Sequence, residues 1–267
     1  MAMGARWVMT MVGMAMTTRM TGGMAIRTAT TIITIMTIIT TTIIATRRTP
    51  MTDRDLLTLT QWLSPAFPLG AFAYSHGLEL AISDGAVTDA ATAESWLTTT
   101  LRHGAGRVDA GLLAMVLSGH DAAEVADLAR ALAGTRERWA ETSEQGAAFI
   151  RTRAQMAGGK VPAGVAAGAV ALPVAVGLAA RDLDLPPRTV ITLYLSSFTS
   201  NLVSAAVRFV PLGQSAGQAV LARLHPVIET VAEVALDSTP ETLATSAFAA
   251  DLGAARHEDM AVRIFKT

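Results

Sequence analysis

Histidine and cysteine decide whether the chain can bind a metal or carry a strong nucleophile. Cysteine is absent, which excludes thiolate metal sites, disulfides and a cysteine nucleophile. The five histidines are scattered, with no pair four residues apart: His76, His103, His120, His225 and His257. His257 and Glu258 could supply one ligand pair across a dimer, but a lone exposed His is more typical of polar surface. We therefore predict no metal site within the chain.

Two short motifs resemble parts of catalytic sites but lack their essential partners. Gly158-Gly159-Lys160 is similar to the end of a phosphate-binding loop, yet Val161 stands where a Ser or Thr would hold magnesium. Ser75-His76 are sequence neighbours, which a helix would point about 100° apart. An unrecognised enzyme would rest only on Glu79 and Arg208, which form no nucleophile–base pair. We therefore predict that the chain is not an enzyme.

Charge and composition change abruptly near residue 50. Residues 1–50 carry five Arg, no acid and nine of the thirteen Met, whereas residues 51–267 carry 16 basic and 22 acidic residues. Moved by one base, codons for Thr, Ile and Met become codons for His, Asp, Asn or Tyr. We therefore expect 1–50 to be a mis-assigned start that overlaps an upstream gene with a His-rich tail, and the native chain to begin at Met51. An authentic disordered extension is the alternative.

Two apolar stretches give a second interpretation, a helical membrane-associated protein. Residues 28–46 contain only Thr, Ile, Met and Ala, and residues 161–180 contain no charge. The apolar part of the first stretch is shorter than the roughly 20 residues that a span needs. The second is rich in Ala and Gly and includes Pro173, so we predict a buried helix or helix pair there and no stable membrane insertion.

Helical periodicity, with Pro, Gly and capping residues at the breaks, runs through the rest of the chain. The predicted helices lie at 53–63, 71–82, 89–103, 109–117, 122–133, 136–156, 188–210 and 218–236, and a last one starts at Ser238-Thr239-Pro240-Glu241. In 136–156, we expect Arg136, Glu137, Glu141 and Glu144 to form a charged, solvated face. The sequence predicts one all-α helical-bundle domain of about eight to ten helices at 51–267, preceded by an unstructured or artefactual segment.

Three short blocks stand out from this helical pattern. They are LSPAFPLGAFAYSHGLE at 63–79, SNLVSAAVRFVPLGQSAGQ at 200–218, and RHEDMAVRIFKT at 256–267. In their order and spacing they resemble the UreF family of urease accessory proteins, and they frame nearly all of 51–267. The tail departs mildly from the family pattern at Ile264, Lys266 and Thr267, where Leu, Arg and Ser are usual.

The resemblance implies a cytoplasmic, all-helical homodimer that binds the accessory protein UreD (also called UreH) and then the GTPase UreG. That assembly engages apo-urease and supports GTP-dependent transfer of nickel to its carbamylated-lysine site. The partners would handle nickel and GTP, so no cofactor of the chain's own is expected. With a net charge of −1, nucleic acid is not an expected partner. The residues carried over by motif as partner-binding are Gly70, Phe72, Glu79, Arg208, Arg256, His257, Glu258, Arg263 and Phe265.

Two of these features lead to structural hypotheses. The C-terminal tail, residues 256–267, alternates charge with a few apolar anchors, so we expect it to become ordered on a partner. Arg208 lies in an apolar helix end, where an unpaired buried guanidinium would be too costly. We predict that it reaches a partner's carboxylate. The alternatives are an internal pair to Glu79 and a guanidinium that extends to solvent.

Overall fold

The computed structural model describes residues 53–158 and 170–266, which belong to the unit Met51–Thr267. The predictions for residues 1–50, including the start at Met51 and the anchor at 28–46, lie outside the described residues, as do those for residues 161–169. The described part contains ten α-helices, one short 3₁₀ helix and no β-strand. This confirms the all-α prediction.

The helices follow one another with short connections. They are α1 Asp53–Trp62, the 3₁₀ helix Ala71–Ala73, α2 Leu78–Ser83, α3 Ala90–His103, α4 Ala105–Leu117, α5 Ala122–Leu132, α6 Arg136–Met156, α7 Leu172–Ala180, α8 Pro187–Phe209, α9 Gln214–Ala235 and α10 Phe248–His257.

Capping side chains define three of the helix starts. Asp89 accepts a hydrogen bond from the Thr92 N–H at 2.8 Å, and the Thr92 hydroxyl accepts one from the Asp89 N–H, so α3 begins with a capping box. Asp121 caps α5 and Thr135 caps α6 in the same manner, each accepting from N–H groups of the first turn. These contacts are local, which is why the predicted starts of the three helices agree with the structure.

The core is built around α4 and α7, whose residues are mostly buried. Both helices are apolar on nearly all sides, as expected for helices enclosed by others. Gly177 of α7 allows a close crossing, because a Cβ there would lie 2.8 Å from the side chain of Val116 on α4. The described residues of the apolar stretch 161–180 therefore include a buried helix of this core, as predicted.

One described helix, α8, is long and apolar enough to cross a membrane by length and composition alone. Half of its most apolar window is buried inside the fold, against α4 and α9 among others. A core helix of a helical domain meets the same criteria.

The predicted helix 71–82 is wrong, because the chain breaks within it. The structure has a 3₁₀ turn at Ala71–Ala73 and then α2, separated by His76 and Gly77 in the left-handed region, at φ 52° and 74°. Gly77 lies against α10, where a Cβ would come within 2.8 Å of the Ala254 nitrogen. Tertiary packing therefore overrides helical propensity at this point.

The predicted start of the last helix is also wrong. Ser238-Thr239-Pro240-Glu241 begins an isolated turn, in which the Leu243 N–H donates to the Thr239 carbonyl. Leu243 is buried against Gly111 of α4, and the Ser246 N–H donates to the carbonyl of His103 at 2.7 Å. These contacts hold the segment as a loop, and α10 begins only at Phe248.

Candidate functional site

The three distinctive sequence blocks meet in space. Arg208, near the end of α8, donates to the carbonyl of Phe72 at 3.3 Å. The Phe209 and Phe265 rings pack edge to face, with their centroids 5.0 Å apart, and the Lys266 N–H donates to the carbonyl of Ala73 at 2.7 Å. We call this junction the tail site, comprising residues 70–79, Arg208 and Phe209, and residues 256–266.

Glu79 anchors the tail through its backbone. This buried side chain on α2 accepts hydrogen bonds from the N–H groups of Ile264 and Phe265, both at 2.9 Å, and lies 3.0 Å from Nε2 of His257. Burial alone would raise the pKa of Glu79. The hydrogen bonds from His257 and from the two amides outweigh it and hold that pKa below its ordinary value of 4.5. Glu79 is therefore an ionised anchor.

His257, at the end of α10, is completely buried between two carboxylates. Its Nε2 faces Glu79, and its Nδ1 lies 2.8 Å from Oε2 of Glu137 on α6. The imidazole thus joins α2, α6 and α10 in one ion network.

The first turn of α6 contacts the tail at two further points. Glu137 also forms an ion pair with Arg263, and its N–H donates to Oε1 of Glu258 at 3.1 Å. Arg136 pairs with the same carboxylate at 3.1 Å. An acidic side chain is favoured at a helix N-terminus, because the free N–H groups there carry partial positive charge.

The far end of the tail is fixed by a more exposed contact. Lys266 lies 3.0 Å from Glu144, which also accepts a hydrogen bond from the Tyr74 hydroxyl at 2.7 Å. These two donors lower the pKa of Glu144 below its ordinary value. The pKa of Tyr74 is raised well above its usual range, mainly by burial and secondly by the hydrogen bond to Glu144, so the phenol stays protonated.

Apolar side chains remain exposed on the tail site. Phe72, Val262 and Ile264 are 66%, 79% and 69% exposed. Two exposed arginines accompany them: Arg263 lies between Val262 and Ile264 in the sequence, and Arg208 contacts the carbonyl of Phe72. Aromatic and aliphatic groups next to arginine are typical of protein–protein contact surfaces.

A second charged cluster lies inside the domain. Arg138 contacts Asp109 at 2.6 Å and Glu141 at 3.4 Å, the Tyr194 hydroxyl donates to Asp109 at 2.8 Å, and His76 pairs with Glu141 at 2.9 Å. Burial works against the charge on Glu141, but His76 and Arg138 reverse that effect and lower its pKa. Burial raises the pKa of Tyr194 well above its usual range. We call these five residues the inner cluster.

The inner cluster borders two cavities. One, of about 210 Å³, is lined mainly by α4, α5, α6 and α10, and the other, of about 240 Å³, by the loop 63–72 and α8. Asp109, Arg138 and Glu141 line both. In the part of the chain that the structure describes, no group of three or more His, Asp or Glu is arranged to hold a metal ion.

Gly213–Gly217 matches the Gly-x-Ser-x-Gly pattern of hydrolase nucleophiles, but its context differs. Such a serine requires a sharp strand-to-helix turn. Here Ser215 is exposed in the first turn of α9, and no strand precedes it within the described ranges. Gly217 instead packs against Val207, where a Cβ would lie 2.5 Å from the side chain. The motif therefore serves helix packing.

The family model for UreF matches residues 87–225. The chain is also 55% identical over 215 residues to the urease accessory protein UreF of Cereibacter sphaeroides, which covers 80% of this chain and all of the relative. The chain belongs to the UreF family. Urease accessory proteins UreF from two further bacteria also match. The protein from Jannaschia sp. is 51% identical over 79% of this chain and 94% of its own length. The protein from Roseobacter denitrificans is 43% identical over 84% of this chain and 99% of its own length.

In this UreF-family chain, the nine predicted site residues all lie in or beside the tail site, but in two layers. Gly70, Phe72, Arg208, Arg256 and Arg263 are exposed, Glu258 is half-buried, and Glu79, His257 and Phe265 are buried. Their role in partner binding stays a prediction. The three buried residues can act on a partner only by holding the exposed ones.

Two structural hypotheses need correction. The tail, expected to become ordered on a partner, is ordered on its own chain, because Phe265 is buried and Glu79 satisfies two tail amides. The alternative internal pair between Arg208 and Glu79 is wrong. In the described residues Glu79 pairs with His257, whereas Arg208 contacts the Phe72 carbonyl and lies 5.9 Å from the Phe265 ring centroid.

The acidic residues of α6 are the part of the site that the sequence predictions missed. Glu137, Glu141 and Glu144 were expected on a solvated face, but they meet the tail, His76 and Tyr74 respectively. Their spacing of four and three residues places them on one helix face. This alignment could have indicated a contact. If another segment packs on a helix face that carries three acids, that segment must supply cations or hydrogen-bond donors.

Proposed function

We propose that this chain acts in urease maturation as a non-enzymatic scaffold that supports the installation of nickel. The observation that carries the proposal is the 55% identity to a urease accessory protein along that relative's whole length. We further propose a cytoplasmic homodimer that binds a UreD-like (UreH-like) protein, recruits the GTPase UreG, and engages apo-urease. Nickel and GTP belong to the partners, and the chain has no cofactor of its own.

The tail site is the surface that we assign to the UreD-like partner. It exposes Phe72, Val262 and Ile264 next to two arginines, a combination that can bury apolar area and direct charged contacts. The tail beneath them is already fixed by Glu79 and Glu137. A surface ordered in advance loses less conformational entropy on binding, which favours affinity.

The scaffold role is also consistent with the polar groups in the described residues. The inner cluster is an ion and hydrogen-bond network in which each carboxylate faces a cation or a donor. The features that the scaffold proposal uses are therefore those of a surface rather than of a catalytic pocket.

Co-expression with the UreD-like and UreG-like proteins of the same source tests the proposal. A tagged chain should capture the UreD-like protein, and the UreG-like protein only when the UreD-like protein is present. Cells that lack the chain should make urease polypeptide with little nickel and little activity, and both should return with the full-length gene. Full urease activity without the chain would contradict the maturation role, and failure to capture either protein would contradict the scaffold.

A further inference from the structure

Glu137 contacts the tail at two separate places. Its side chain is 12% exposed, and its two carboxylate oxygens contact different tail residues. Oε2 faces Nδ1 of the buried His257, where the tail begins, and Oε1 pairs with Arg263, six residues further along. One carboxylate on the first turn of α6 therefore spans the tail from its start to the residue before Ile264.

The contacts of Glu79 with the tail backbone hold the tail but do not define which residues are held. Glu79 binds the N–H groups of Ile264 and Phe265, and every non-proline residue offers the same N–H group. A tail displaced by one residue could form the same two hydrogen bonds. Only contacts to side chains can distinguish the correct register from a displaced one.

The register matters because adjacent tail residues face opposite ways. Ile264 is 69% exposed, whereas Phe265 is 5% exposed and packs on Phe209. A shift by one residue would place Ile264 or Lys266 in the position of Phe265. The exposed surface of the tail site would then present different side chains to a partner.

Two acids of α6, Glu137 and Glu144, contact side chains near the end of the tail, and Glu137 is the better candidate for setting this register. Glu144 pairs with Lys266, but both side chains are more than half exposed, and such ion pairs contribute little. Glu137 pairs with a completely buried histidine and with an arginine at once, and its N–H fixes Glu258 as well. Buried, charge-assisted contacts are the stronger ones.

We propose that Glu137 is the positioning residue that sets the register of the C-terminal tail and thereby the shape of the partner-binding surface. This inference rests on the proposed function of the tail site. Glu137 touches the tail and not the partner, and it acts through His257 and Arg263.

Glu137→Gln in the full-length chain tests the proposal first by hydrogen exchange. Glu137 uses one oxygen for His257 and the other for Arg263, whereas a glutamine has a single oxygen and no charge, so the two contacts cannot both persist. Amide exchange in the peptide 258–266 should become about tenfold faster, while peptides of α4 and α8 stay unchanged. Glu233→Gln is the matched control, because it removes the same charge from an exposed pair with Arg188. That control should leave the tail peptide unchanged.

Cross-linking measures the register itself, which a merely stabilising residue would not alter. The chain has no cysteine, so paired substitutions report cleanly. Ala73→Cys with Lys266→Cys should form a disulfide, since the backbones of these residues are hydrogen-bonded at 2.7 Å. With Glu137→Gln added, the yield at 266 should fall and the yield at 265 or 267, tested in parallel variants, should rise. A uniform fall at all three positions, or no change, would overturn the proposal.

Capture of the UreD-like protein separates this inference from the proposed function. If Glu137→Gln shifts the register and capture weakens at least tenfold, both stand. If the register shifts and capture is unchanged, Glu137 still positions the tail, but the assignment of the tail site as the partner surface fails. If exchange and cross-linking both match the Glu233→Gln control, Glu137 is not the positioning residue, whatever the capture assay gives.

Discussion

The tail site and the inner cluster use the same chemistry for different ends. Each contains a buried histidine beside a glutamate of α6, His257 with Glu137 and His76 with Glu141. The inner cluster joins helices to one another and is enclosed by them. The tail site joins a chain end to the fold and leaves apolar side chains exposed beside it. We therefore expect the inner cluster to serve stability and the tail site, as proposed above, to position a surface.

Removing the central cation of the inner cluster should have the largest effect on stability. Arg138→Ala leaves Asp109 and Glu141 buried without their shared partner, which we expect to lower the free energy of unfolding by about 3–5 kcal/mol. Chemical denaturation measures it. Arg136→Ala, two residues away and exposed, should change the free energy by less than about 0.5 kcal/mol. Equal losses for the two variants would contradict the contrast between buried and exposed ions.

Adjacent residues of the tail should separate anchoring from binding. Phe265→Ala removes a buried ring and should cost about 2–4 kcal/mol of local stability, seen as faster exchange in residues 258–266. Ile264→Ala truncates an exposed side chain and should leave exchange unchanged while weakening capture of the UreD-like protein. If Ile264→Ala also loosens the tail, the two residues do not play separate roles.

Acid should release the tail through Glu79. The folded-state pKa of Glu79 lies below 4.5, so the stabilisation that it provides is complete above that pH and is lost as the pH falls through the lower folded value. The groups that face it are His257 and the amides of Ile264 and Phe265, and Glu144 shifts in the same direction. Denaturation midpoints between about pH 5.5 and pH 3 should fall more steeply for the wild type than for Glu79→Gln. Parallel curves would show that Glu79 is not the responsible group.

Arg208 should have the smallest effect on stability and a clear effect on function. It is exposed and contacts the Phe72 carbonyl and the Phe265 ring rather than a buried acid. Arg208→Ala should change the free energy of unfolding by less than about 0.5 kcal/mol but strongly reduce urease activation. Arg223→Ala, which removes an exposed arginine paired with Glu94, is the control and should activate urease normally. Normal activation by Arg208→Ala would remove this residue from the site.

The sequence predicted the fold where the deciding interactions are local. Asp89, Asp121 and Thr135 cap their own helices within three residues, so α3, α5 and α6 begin where expected. The break at His76 and Gly77 was not predictable in this manner. His76 takes a left-handed backbone while its ring pairs with Glu141, and Gly77 meets α10, more than 170 residues away.

The family resemblance selected residues that lie together in the tail site, but it did not give their arrangement there. The family resemblance brought the three blocks together, but it did not distinguish Phe72, which is exposed, from Glu79 and Phe265, which are buried. Glu137 was missed because its partners, His257 and Arg263, lie about 120 residues further along the chain. Periodicity locates the face of a helix, but it does not identify what covers that face.

The affinity for the UreD-like protein tests the central claim most directly. The double variant Phe72→Ala, Ile264→Ala removes two exposed apolar side chains from the tail site, and Leu57→Ala, Val234→Ala removes two exposed ones elsewhere. Calorimetric titration of the purified partner should give a Kd raised about 100-fold by the first variant and unchanged within about twofold by the second. Equal Kd values for both variants and the wild type would contradict the assignment of the tail site as the partner surface.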